Sequence, residues 1–102
     1  MSEIHLSAGD SEVTVRLGDV VVVRLPENGT TGYQWQVQDV EGGLEVTGSD
    51  FLPPGEVVPG GGGTRVLRVR PTKAGDGRLA LHLKQPWGDD VAEQYALRVT
   101  VE

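Results

Sequence analysis

Two apolar stretches, Val20-Val21-Val22-Val23-Arg24-Leu25 and Tyr33-Gln34-Trp35-Gln36-Val37, decide the fold, together with the loop Asn28-Gly29-Thr30-Thr31-Gly32 between them. The first run is β-branched and almost continuously apolar, which reads as a central strand of a sheet. In the second, Tyr33, Trp35 and Val37 alternate with glutamines, the pattern of a strand with one face buried. The residues between the runs tolerate left-handed backbone or bond locally to it, so they turn the chain. A tight hairpin needs only Asn-Gly. This loop is longer, and it carries two threonine hydroxyls beside an aromatic ring.

Working outward, the rest of the chain repeats the same theme. Ile4-His5-Leu6 reads as a short edge strand. Val13-Thr14-Val15-Arg16-Leu17 alternates, and Gly18-Asp19 ends it in a turn. Leu44-Glu45-Val46 reads as one short strand and Phe51-Leu52 as the start of another. Strand character returns over residues 64–70, with Val66, Leu67 and Val69 apolar, and again over Arg78-Leu79-Ala80-Leu81-His82-Leu83. In that last run Leu79, Leu81 and Leu83 share a face, and His82 is expected on the opposite, solvent side. Residues 95–101 complete the set, with odd-numbered side chains inward. About seven to nine short strands with turn signals between them, and no stretch of helical periodicity, predict an antiparallel β-sandwich of immunoglobulin-like kind. Trp35 occupies the place of the buried tryptophan in such sandwiches. The 102 residues suit a single domain spanning residues 1–102.

Composition narrows the function. The formal net charge is -6, the wrong sign for gripping a nucleic-acid backbone or an anionic membrane surface. No run is long and apolar enough to span a bilayer as a helix. The first residues have neither the basic region nor the apolar core of a signal peptide, so the expectation is a cytoplasmic protein or a mature exported form. Cysteine is absent, which removes disulfides, thiolate metal sites and a cysteine nucleophile.

An enzyme is not expected. His5 and His82 stand far apart with no motif around either, a poor basis for a metal site. Ser2, Ser7, Ser11 and Ser49 lie outside any nucleophile-elbow pattern and have no histidine beside them. Asp89, Asp90 and Glu93 lack calcium-loop spacing and read as solvated acids. Gly60-Gly61-Gly62-Gly63 is followed by Thr64-Arg65 and a strand, so it is not a phosphate loop. Four glycines instead let a backbone lie within hydrogen-bonding distance of another backbone. Trp87, after Pro86 and before Gly88, falls on a loop, where an exposed indole suits a binding hot spot. Alternate loops of an immunoglobulin-like sandwich gather at one end. The loops at 28–32, 53–63 and 85–90 are therefore expected to form one surface, in the manner of a paratope.

Three of these stretches carry a resemblance. Asn28-Gly29-Thr30-Thr31-Gly32-Tyr33 is similar to the Asn-Pro-Thr-Thr-Gly-Tyr/Phe loop of chagasin-type inhibitors of papain-like cysteine peptidases. Gly60-Gly61-Gly62-Gly63 resembles that family's Gly-x-Gly-Gly loop, and Gln85-Pro86-Trp87 its Arg-Pro-Trp/Phe loop. The order matches, and the likeness extends over nearly the whole chain. Gly29 and Gln85 depart from the family's proline and arginine. The resemblance implies an immunoglobulin-like sandwich and a reversible, cofactor-free inhibitor, expected as a monomer, whose partner is a papain-like peptidase. It implies that Thr30 and Thr31 enter the catalytic cleft, that the glycines run along the non-primed groove, and that Trp87 packs on the primed side. The other reading is a β-sandwich interaction module with a different target, adhesive or carbohydrate-binding; such a module has no need of all three loops together.

Overall fold

A computed structural model describes residues 2–27, 32–53 and 63–102. Within them eight strands run β1 Glu3–Ser7, β2 Glu12–Val15, β3 Val20–Glu27, β4 Gln34–Glu41, β5 Leu44–Leu52, β6 Gly63–Pro71, β7 Gly75–Lys84 and β8 Val91–Val101. They form two four-stranded sheets, ordered β1-β3-β6-β5 and β2-β8-β7-β4. The all-β sandwich expected from the strand pattern is what the chain adopts. Six of the eight strands pair antiparallel with a neighbour, but β1 on β3 and β2 on β8 are parallel, so both sheets are mixed at one edge. Parallel neighbours cannot be joined by a hairpin. Here the N-terminal chain crosses from one sheet to the other at each turn, β1 to β2 and β2 to β3, and so meets β3 and β8 from the side.

The core lies between the sheets. Val21, Val23, Leu25, Leu67 and Val69 from the first sheet meet Trp35, Leu79, Leu81, Tyr95, Leu97 and Val99 from the second. The period-two rule held on β8, where Tyr95, Leu97, Val99 and Val101 are all buried. The continuously apolar run of β3, with Val21, Val22 and Val23 all buried, makes it an interior strand of its sheet, as expected of a run with no face suited to water. Without disulfides this apolar layer is the main tie between the sheets. Tyr95 adds a polar fastening: its hydroxyl donates to the Asp10 carbonyl at 2.6 Å, pinning the turn between β1 and β2. Burial, reinforced by the charge of Asp10, pushes the phenol up to about 12.

Three local readings change. Leu44–Val46 and Phe51–Leu52 are not separate strands; they belong to one β5, interrupted by a register shift between Val46 and Gly48. A bulge breaks the alternation that polarity counting relies on, so one strand looked like two. Val37 is opposite Leu81 yet remains 39% exposed, because β4 is an edge strand and its register shifts between Val37 and Asp39. Leu17 falls outside β2, 53% exposed in the turn closed by Asp19 N–H donating to the Arg16 carbonyl. Gly18 supplies the positive φ of 97° in that turn. His82 does lie opposite the leucine face, half-buried between its register partners Gln36 and Gln94.

Candidate functional site

The strand register locates the loops. At the end of the first sheet Glu27 of β3 stands opposite Gly63 of β6, and Leu52 of β5 opposite Thr64. At the end of the second, Gln34 of β4 stands opposite Lys84 of β7, which is also opposite Val91 of β8. The chain therefore leaves or enters the sandwich at this same end before and after each of the segments 28–33, 53–62 and 85–90. The turns at 16–19, 42–43 and 72–74 close the opposite end. The Glu27–Trp35 hydrogen bond joins these two sheet ends, so the strands that flank all three segments end on one side of the sandwich.

Of the residues singled out in the sequence, Asn28, Gly29, Thr30, Thr31, Gly60, Gly61 and Gly62 lie outside the described residues. The structure places the other six. Gln85-Pro86-Trp87-Gly88 is a β-turn closed by the Gly88 N–H donating to the Gln85 carbonyl at 3.2 Å. Pro86 sits at its second position, where a fixed φ near -65° is preformed. Trp87 follows at the tip, 75% exposed, the most exposed large apolar side chain among the described residues. Trp35, on the inward face of β4, is buried by contrast.

The indole of Trp87 reaches across to the first loop. A Cβ built on Gly32 would lie 2.8 Å from the Cη2 atom of Trp87, and Gly32 has φ of +78°. The left-handed backbone favours glycine, and a methyl group there would push the Trp87 ring aside. The Thr-Thr-Gly and Pro-Trp motifs are thus in contact through their Gly and Trp. Tyr33 follows, half-buried, at the root of β4. Gly63 is close-packed for another reason: a Cβ there would collide with the Phe51 ring and the Leu52 carbonyl.

Beneath this surface lies a group that sequence reading missed. Glu27, the last residue of β3, is 3% exposed. Its Oε1 accepts the backbone N–H of Trp35 at 2.7 Å and Nε of Arg65 at 3.1 Å, and its Oε2 accepts Nη2 of Arg65 at 2.8 Å. The Trp35 indole N–H donates to the Pro26 carbonyl at 2.9 Å. A signal was present. Glu27 continues the odd-numbered inward series Val21, Val23, Leu25, and Arg65 continues Leu67 and Val69 toward the same end. Two opposite charges at inward positions imply a pair, but a strand ended at Leu25 hides it.

Among the described residues no group of acidic and histidine side chains could hold a metal ion. Asp89, Asp90 and Glu93 are exposed. A depression of roughly 530 Å³ on the outer face of the second sheet, lined by Glu12, Glu41, Arg78 and Arg98, is far from the loop end and holds no catalytic pairing. What the described residues offer at the loop end is an exposed indole on a closed turn, carried on paired strands. That defines a loop-bearing binding module of the β-sandwich class. The comparison with known families makes it specific. Residues 14–101 match the model of the chagasin family of peptidase inhibitors, I42, and the chain belongs to that family, which is made up of inhibitors rather than enzymes. It is 31% identical over 83 residues to chagasin of Trypanosoma cruzi, covering 74% of this chain and 73% of chagasin. It is 28% identical over 96 residues to amoebiasin-1 of Entamoeba histolytica, covering 91% and 92% of the two chains. In three dimensions it resembles EhICP2, a cysteine protease inhibitor from Entamoeba histolytica, with a TM-score of 0.83 over 99% of this chain and 96% of the other. At 16% identity that last likeness is one of fold.

Proposed function

We propose that this chain is a reversible inhibitor of papain-like cysteine peptidases that occludes the active-site cleft with three loops. The observation that carries the reading is the contact of Trp87 with Gly32 at the end where all three loops leave the sheets. In this reading Asn28, Gly29, Thr30, Thr31, Gly32 and Tyr33 form the central wedge, with Thr30 nearest the catalytic thiol. Gly60, Gly61, Gly62 and Gly63 lie along the non-primed groove and exchange backbone hydrogen bonds with it, as an added strand would. Gln85, Pro86 and Trp87 cover the primed side, where the exposed indole finds an aromatic wall.

A wedge of this kind blocks the thiol without presenting a carbonyl in line with it. Cleavage needs near-contact alignment of nucleophile and carbonyl carbon, so the inhibitor survives its encounter. The turn closed across Gln85 and Gly88 limits the freedom that Trp87 loses on binding. The experiment is a titration of papain and, in parallel, trypsin with the purified protein. Competitive inhibition of papain and none of trypsin is the expected outcome. Absence of inhibition across several papain-like enzymes at micromolar protein refutes the reading and favours a module with another target.

A further inference from the structure

Resting on that reading, we propose that the buried Glu27–Arg65 ion pair is a positioning device for inhibition, locking the roots of the loops into one geometry. Neither residue has to touch the peptidase. Glu27 is the one charged side chain buried among the described residues, and it ends β3 where the first loop begins. Its carboxylate crosses from the first sheet to the second to accept the N–H of Trp35, in the edge strand β4. The ion pair therefore sets the spacing between the two strands that flank the first loop, which no sheet ladder joins.

Arg65 does the same for the second loop. It is the third residue of β6, and its guanidinium carbon lies 5.7 Å from the centre of the Phe51 ring on β5. Nη1 is 3.5 Å from the Ser49 hydroxyl, also on β5, while Nε and Nη2 fork onto the two oxygens of Glu27. Phe51 in turn packs over Gly63. The third loop is attached through β4: Trp35 is paired with Leu83, two residues before the Gln85 turn, and Gly32 carries the Trp87 ring. One ion pair thus touches β3, β4, β5 and β6 at the end that bears the loops.

Packing alone does not require an ion pair at these inward positions. Apolar side chains of similar volume commonly replace a buried pair without loss of stability. A bidentate guanidinium–carboxylate fork differs in fixing direction as well as distance, and an apolar pair would not. Geometry is what an inhibitor presenting several loops to one cleft needs held.

The test pairs affinity with stability. In the double variant Glu27→Gln/Arg65→Met, which keeps a side-chain oxygen to accept the Trp35 N–H and removes the charged fork, the expected result is a melting temperature within about 4 °C of wild type and papain inhibition weakened about tenfold or more, chiefly through faster dissociation. Wild-type inhibition by the folded double variant overturns the proposal. Should that variant fail to fold, Arg65→Lys keeps the charge and loses the fork; weakened inhibition at unchanged melting temperature supports positioning, and unchanged inhibition overturns it. Amide hydrogen exchange separates this inference from the functional reading on which it rests. If the wild-type protein inhibits no papain-like enzyme, that reading fails. Faster exchange at Trp35 in Arg65→Lys, with Leu81 and Val99 unchanged, would still show the pair locking the loop roots, whereas unaltered exchange at Trp35 would show that it does not.

Discussion

Trp87→Ala should divide binding from stability, and its size can be worked from exposure. The side chain is 75% exposed in the free protein. A tryptophan offers about 250 Å² of burial, so roughly 190 Å² remains for a partner to cover. At about 25 cal/mol per Å² that area is worth at most about 5 kcal/mol. Truncated hot-spot aromatics typically cost about 2–4 kcal/mol, since ordering and imperfect fit take part of the gain. Inhibition should therefore weaken by roughly 30-fold to 1000-fold, at about 1.4 kcal/mol per decade. Folding should hardly notice, because surface substitutions usually stay within about 0.5 kcal/mol, or about 2–4 °C in a domain of this size. The assay is a paired measurement of the papain inhibition constant and the melting temperature. A large fall in melting temperature with normal inhibition by the remaining folded protein would show that Trp87 supports the sandwich edge, and the argument from exposure would be wrong.

Gly32→Ala should lower both affinity and stability, by about 1 kcal/mol or more from the left-handed backbone alone, with a further loss as the Cβ displaces the Trp87 ring. In a Trp87→Ala background that second part should vanish, which a double-mutant cycle of inhibition constants reads directly. Binding should survive replacement of the peptidase's catalytic cysteine by alanine, because the chain has no thiol for a mixed disulfide and the wedge forms no acyl bond; calorimetry with the inactive enzyme checks this, and loss of all affinity would indicate a covalent mechanism. The Tyr95 phenol, near 10 when unfolded and about 12 when folded, makes the unfolded chain the first to lose its proton as pH rises. Stability should then be full below about pH 10 and fall by up to about 3 kcal/mol on the way to pH 12. Urea midpoints across pH 8–12 should show the slope, and Tyr95→Phe should flatten it while costing about 1 kcal/mol through the lost bond to Asp10.

Local chemistry made much of this protein legible from its sequence. Polarity with a period of two placed the inward residues of β8, because side chains on a pleated strand alternate between core and water, and the continuous apolar run of β3 marked a strand interior to its sheet. Turn residues marked the turn at Gln85–Gly88 and the one at Gly18-Asp19, because proline fixes φ and glycine admits a positive one whatever surrounds them. The three loop motifs pointed to the inhibitor family to which the chain belongs. The tertiary structure decided what depends on partners remote in sequence. It joined Leu44–Val46 to Phe51–Leu52 across a register shift that periodicity reads as a break. It made β1–β3 and β2–β8 parallel, a choice set by which sheet edge each strand reaches. It also buried Glu27 against Arg65, 38 residues away. A charge at the end of an apolar run looks like the point where the run enters water. Only the opposite charge, delivered by the register of β3 on β6 and within reach of the Trp35 amide, lets that carboxylate stay inside.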